Sequence, residues 1–255
     1  MFVRLYTGKQ IRIMTNTIAI QNYTGITLPI INEQTSAKTY SFHAKDPMSA
    51  LTHFIGCICA ILLTPVLLIH AAGSGADLYS LIALSIFMIS MIMLYGASAS
   101  YHAFSIAGPK GLTLKRLDHM MIFVLIAGSY TPVCMITLRG TQAGLVMLIV
   151  IWSMAAVGMI FKLCWVTCPK WISSVIYIAM GWVVIFAMPT LIATIGKTSL
   201  RWLYIGGIIY TIGGVIYALK LVRFNKRDSL WGSHEIFHLF VLGGSFCHFM
   251  CMMNL

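Results

Sequence analysis

The chain is 255 residues long; 59% of them are hydrophobic and 9% are charged. Soluble domains carry about 25% charged residues, so this composition excludes a water-coated globular domain and predicts an integral membrane protein. The net charge of +11 would suit a nucleic-acid binder, but the placement of the basic residues gives them another role.

Residues 1–45 are rich in Thr, Asn and Ile and carry Arg4, Lys9, Arg12, Lys38 and Lys45. No run there is long enough to cross a bilayer or shaped like a cleavable signal. A poorly ordered cytoplasmic tail is expected, with Met14 as an alternative start. The domain at 46–255 holds seven apolar segments, near 49–70, 78–102, 117–138, 143–163, 172–194, 202–221 and 233–254. Each is long enough, at about 1.5 Å per residue, to cross roughly 30 Å of hydrocarbon. In lipid an isolated segment satisfies its own backbone only as a helix. The expected fold is therefore all-α, a seven-transmembrane helix bundle. Pro65, Pro132 and Pro189 fall within segments and predict kinks.

Fourteen of the seventeen Lys and Arg residues fall in the tail and in the loops after spans two, four and six. The other side has only Arg139, Lys197 and Arg201. Basic residues collect on cytoplasmic loops, so this bias predicts a cytoplasmic N-terminus and, with seven spans, a C-terminus outside. The high charge is then a consequence of topology, and no nucleic-acid partner is expected. Seven cysteines, most of them in apolar runs, do not resemble a disulfide framework. The pairs Cys164/Cys168 and Cys247/Cys251 have a spacing compatible with metal binding but are expected to serve packing.

Ionisable groups inside spans are costly and mark functional sites. On this topology His53 lies near the cytoplasmic start of span one. Ser98 and His102 lie at the cytoplasmic end of span two, Asp118 and His119 at the start of span three, and His234, Glu235 and His238 at the start of span seven. Four separate stretches thus share one membrane layer. His234 and His238 are four residues apart, on one helix face and about 6 Å apart in rise, which suits two imidazoles on one metal ion. His102 would complete a three-His set, and three protein ligands with an open position are the pattern of catalytic Zn²⁺. Asp118 is placed to orient or deprotonate a water beside it. His53 is expected either to support the ligands from behind or to make a helix–helix contact. His248, ten residues past His238, lies about 15 Å deeper, too far for the same ion. An interhelical hydrogen bond is expected of it, supporting the site at most from a distance. His119 is expected to point away from the site, about 100° around the helix from Asp118.

The stretch "HEIFH" at 234–238 also matches the His-Glu-x-x-His pattern of zinc proteases. That scheme makes Glu235 a general base but gives no place to Ser98, His102 or Asp118. Glu235 is expected instead to be an interhelical or interfacial carboxylate.

The stretches "THFIG", "SASYHAF", "LDHMMIFVLIAGSYTP", "MGWVVIF", "GGIIYTIGGVIY" and "SHEIFHLFVLGGSFCHF" occur in this order. Through them the chain over 46–255 resembles the haemolysin III family, the bacterial branch of the progestin and adipoQ receptor group. That group is similar to alkaline ceramidases in its Ser, Asp and three-His set. The resemblance implies zinc on His102, His234 and His238, with Ser98 and Asp118 beside it, and seven spans with the N-terminus inside. Two positions depart from the group. Asp46 and Ser49 stand where Glu and Asn are usual; Asp46 keeps a carboxylate of shorter reach, able to support the site.

A zinc-dependent hydrolase of a lipid amide bond, serving lipid homeostasis in the cell membrane, is the function this implies. A pore-forming haemolysin and a zinc-stabilised membrane sensor are the alternatives. In each case the partner is a membrane lipid. Lys115 and Arg116 are placed to meet anionic headgroups.

Overall fold

The structure, a computed structural model, describes residues 44–106, 108–220 and 231–255. The tail expected over 1–45 falls almost wholly outside these residues, as do Arg223, Lys226 and Arg227. The described residues form helices α1 (Pro47–Gly73), α2 (Leu78–Ala103), α3 (Gly108–Pro132), α4 (Gln142–Cys164), α5 (Lys170–Gly181), α6 (Met188–Thr194), α7 (Lys197–Leu219) and α8 (Ser233–Met252). With α5 and α6 joined as one span, seven stretches are long and apolar enough to cross a membrane. The all-α, seven-span expectation holds. The third span begins nine residues earlier than its apolar run, because α3 carries the basic segment Gly108–Arg116 before its apolar part.

The three prolines behave differently. Pro65 sits inside an uninterrupted α1. Pro132 is followed at once by a π-helical turn, Val133–Thr137, closed by the Leu138 N–H donating to the Val133 carbonyl at 3.0 Å. Pro189 lies just beyond a 3-10 segment, Trp182–Ala187, that separates α5 from α6. A break inside a membrane span is tolerated where neighbours satisfy the freed backbone groups. Tyr130 of α3 does this. Its hydroxyl donates to the Gly181 carbonyl at 2.6 Å and accepts from the Val184 N–H at 2.9 Å. The Trp182 indole N–H donates to Thr211 Oγ1 on α7 at 2.9 Å.

The helices close a ring. In order around it, α1 packs on α2, α2 on α3, α3 on α5, α5 on α7, α7 on α8, and α8 back on α1. Helix α4 packs on the outside of α3. The wall of the central cavity draws on α1, α2, α3, α5, α7 and α8, and α4 contributes nothing to it. At the end of the bundle away from the His cluster, Arg139 and Asp77 join two loops, Nη1 to Oδ2 at 2.5 Å. Asp77 also caps α2, its Oδ1 accepting from the Ser80 N–H at 2.9 Å. The Arg139 guanidinium, with Ser80 behind it, holds the Asp77 carboxyl far below the usual carboxylate range.

Lys162 differs from expectation. Counted among loop cations, it instead lies in the last turns of α4 with its side chain fully buried. Its Nζ donates to Ser173 Oγ on α5 at 2.6 Å and to Cys168 Sγ at 3.1 Å. Cys168 is thus committed to this contact, while Cys164 is exposed, so the two do not converge.

If Tyr130 secures the broken span, Tyr130→Phe keeps the ring but leaves the Val184 N–H and the Gly181 carbonyl without that partner. A loss of about 1–3 kcal/mol is expected for such orphaned groups. It should be visible as a lower unfolding midpoint in detergent; an unchanged midpoint would show that the break holds without the phenol.

Candidate metal centre

The site is assembled where the first and last of the described helices meet. Asp46 precedes α1, and its backbone N–H donates to the His102 carbonyl at the end of α2, at 3.1 Å. The same residue's Oδ2 accepts from His102 Nδ1 at 2.9 Å. That bond places the proton on Nδ1 and leaves the Nε2 lone pair of His102 free to face inward. The His102 imidazole holds the Asp46 carboxyl below its usual range, against the opposing effect of partial burial; Lys45, with Nζ 3.7 Å from Oδ2, adds to the lowering. A carboxyl depressed in the folded state stabilises the fold above the ordinary carboxylate range and loses this contribution as the pH falls through the lowered value. At neutral pH Asp46 is therefore an ionised acceptor.

Helix α8 supplies the other two imidazoles. Its first turn is tied down by Glu235, whose Oε2 accepts from the Gly232 N–H at 2.9 Å. This is the backward half of a capping box. The Oε1 atom of the same carboxylate accepts from Ser49 Oγ on α1 at 3.0 Å. Glu235 is thus an interhelical clamp, and Ser49, one of the two departures from the family pattern, is its partner. His234 and His238 then project toward His102. His234 Nε2 lies 3.1 Å from His102 Nε2, and the ring centroids of His234 and His238 are 4.5 Å apart.

One ligand atom from each of His102, His234 and His238 can be chosen so that all lie within 4.8 Å of one another. Among the described residues this is the group with the composition and spacing to hold a metal ion. The donor set fits Zn²⁺. His234 Nε2 is within hydrogen-bond distance of His102 Nε2, but Nδ1 of both His234 and His238 is buried without a hydrogen-bond partner. Imidazole is a regular ligand of zinc, and a carboxylate behind a ligating His fixes its tautomer and orientation.

The other residues singled out from the sequence fall in three places. Ser98 and Asp118 are buried and line the same cavity as His234 and His238. His53 is stacked on His238, with ring centroids 3.7 Å apart and planes 10° apart, and tilts against Tyr95. It backs one ligand ring without a hydrogen bond. His248 lies apart from this cluster, and both its ring nitrogens lack a partner, so the expected interhelical hydrogen bond is not made. His119 does not turn away from the site. It lines the cavity, and its Nδ1 donates to the Lys115 carbonyl at 2.9 Å while lying 3.2 Å from Asp118 Oδ2. The reason is local: a side chain reaching back to the carbonyl four residues earlier stays over its own helix and meets its neighbour's carboxylate. Tyr217, on α7, was not foreseen; its ring covers His234 at 5.4 Å between centroids.

The cavity runs from this cluster into the bundle, encloses about 160 Å³ and is lined largely by apolar side chains. Fold and site together define a class: multi-pass membrane proteins with a three-His cluster at one rim of a seven-span helix bundle. The chain belongs to the haemolysin-III related family, whose pattern it matches over residues 40–249. It is 36% identical over 209 residues to the Hemolysin-3 homolog of Bacillus subtilis (strain 168), covering 82% of this chain and 93% of that protein. With the Hemolysin-3 of Bacillus cereus it shares 38% identity over 213 residues, 83% of this chain and 92% of the other. More distantly, it is 26% identical over 226 residues to the Adiponectin receptor protein of Drosophila melanogaster, covering 78% of this chain and 48% of that protein.

Losing a partner that orients a ligating His costs about 10- to 100-fold in metal affinity. If the cluster holds zinc, Asp46→Asn should weaken its binding by that factor in chelator competition, and His102→Ala should leave the purified protein without stoichiometric zinc. Equal zinc affinity in the wild type and Asp46→Asn would remove Asp46 from the site.

Proposed function

We propose that the chain is a zinc-dependent hydrolase of a lipid amide bond, acting at the inner rim of the cell membrane. The carrying observation is that the three-His cluster opens on an apolar cavity whose wall, at the same end, includes Ser98 and Asp118. The excess of basic residues at this end of the spans supports a cytoplasmic N-terminus and an external C-terminus.

Zn²⁺ held by His102, His234 and His238 would supply Lewis acidity and a water acidified toward neutral pH. The protein's own groups supply the rest. The apolar wall takes the lipid chain and excludes bulk water, which strengthens every charge interaction at the rim. Asp118 accepts a proton from the attacking water as its oxygen bonds to the amide carbon. It returns that proton to the nitrogen as the carbon–nitrogen bond breaks. His119 beside it keeps the carboxylate in place. The Ser98 hydroxyl donates to the carbonyl oxygen as negative charge develops there. Glu235, fully engaged by Ser49 and the α8 N-terminus, takes no part in proton transfer, which argues against the protease reading of the His-Glu-x-x-His stretch.

The test uses purified protein in lipid nanodiscs with a long-chain N-acylated amino-alcohol lipid. Turnover is expected, with Asp118→Asn lowering kcat about 10²- to 10⁴-fold at unchanged zinc content. Loss of turnover in Glu235→Gln with Asp118→Asn unaffected would overturn the assignment of the base. Bound zinc with no amide turnover, and unchanged cell lipids on loss of His234, would favour a sensor, in keeping with the receptor name of the fly relative. Erythrocyte lysis by the pure protein that survives His234→Ala would favour the cytolysis that the Bacillus names carry.

A further inference from the structure

Far from the metal cluster the same cavity holds a second polar station. His248 lines it, is 8% exposed, and has no hydrogen-bond partner for either ring nitrogen. Buried polar groups are normally satisfied, and the surroundings offer no internal solution. Tyr210 lies edge-on to the His248 ring at 5.3 Å between centroids, but its hydroxyl is bonded to Ser245 Oγ at 2.7 Å. Ser245 also accepts from the Tyr95 hydroxyl at 2.6 Å. Thr211 donates to the Gly207 carbonyl and accepts from Trp182. Tyr204 donates to Met188 Sδ at 3.1 Å. Each neighbouring polar side chain on this part of the wall already has a partner, and His248 does not.

The ring's seat is built into the neighbouring helix, α7. A Cβ at Gly206 would overlap His248 Cδ2 and stand 2.8 Å from Nε2, so a glycine on α7 is what allows the imidazole to lie where it does. His248 follows His238 by ten residues on one helix, hence about 15 Å along the cavity. A neutral imidazole offers one donor and one acceptor, and a hydroxyl matches both roles.

We propose that His248 is a specificity-determining residue: the cavity takes a lipid whose chain bears a hydroxyl about 15 Å from the group held at the His cluster, and His248 hydrogen-bonds that hydroxyl. The inference rests on the reading that the cavity receives a lipid chain. It goes beyond that reading in naming the chain's chemistry.

The probes are two N-acylated amino-alcohol lipids, identical except for a hydroxyl at that position on the chain. Binding to the full-length, zinc-loaded protein in nanodiscs is read by displacement of a fluorescent acyl probe, and kcat/KM is measured in parallel. The wild type should prefer the hydroxylated lipid about five- to tenfold, the usual worth of one hydrogen bond. In His248→Leu the ratio should fall to one. His248→Gln, which keeps a donor and an acceptor, should restore part of it. Retained zinc shows that each variant is folded. A wild type without preference, or a preference that persists in His248→Leu, overturns the proposal. Selective binding without turnover of either lipid keeps this inference and sinks the hydrolase reading. Turnover of both lipids at equal kcat/KM does the reverse.

Discussion

Everything at the site depends on α8 closing against α1. The hydrogen bond from Ser49 to Glu235 joins residues 186 apart in sequence, and the stack of His53 on His238 lies on the same seam. In lipid no hydrophobic effect drives helices together, so close packing and interhelical hydrogen bonds must hold such a seam. The seam brings His234 and His238 to the end of α2, where His102 already has its orientation from Asp46. Two independent hydrogen-bonded clamps, one on each side of the cluster, thus set the positions of three imidazoles that come from two distant segments.

Those clamps also explain why the local pattern at 234–238 misleads. In a soluble metalloprotease helix the Glu of His-Glu-x-x-His faces the chemistry. Here both oxygens of Glu235 are engaged, one at its own helix N-terminus and one on α1. A carboxylate used to hold two helices together is poorly placed to exchange protons. Asp118, on another helix, faces the cavity instead, and it is the residue to which the proposed function gives proton transfer.

Much of the architecture was legible because a bilayer restricts a chain to few solutions: length and apolarity alone located seven spans, and the four-residue spacing put two His on one face. What sequence could not give was set by three-dimensional partners. Lys162 reads as a loop cation, yet Ser173 and Cys168 receive its ammonium group inside the bundle. Its position within the apolar run of span four was the available signal. The beginning of α3 does not show in the apolar pattern because Gly108–Arg116 is helical without being apolar. His119 was misread because angular position around a helix ignores a side chain that bends back to the carbonyl of Lys115. The break at Trp182–Ala187 could be suspected from Pro189, but nothing in that span names Tyr130 as the group that makes it tolerable.

The ring's composition gives the cavity its polarity. Helix α4 lies outside the ring, and the other helices and the segments between them supply the wall. Most polar side chains on that wall are spent on one another or on backbone carbonyls, as a low-dielectric interior demands. The groups left over are concentrated at the rim, where the His cluster stands, and at His248, deep in the bundle. A cavity built only to be stable would have no reason to keep an imidazole there unsatisfied, or a glycine at 206 to seat it. A leucine at 248 with a larger residue facing it would close the space with no polar group to bury. The unsatisfied ring therefore argues for an occupant that is apolar along most of its length and polar at two points.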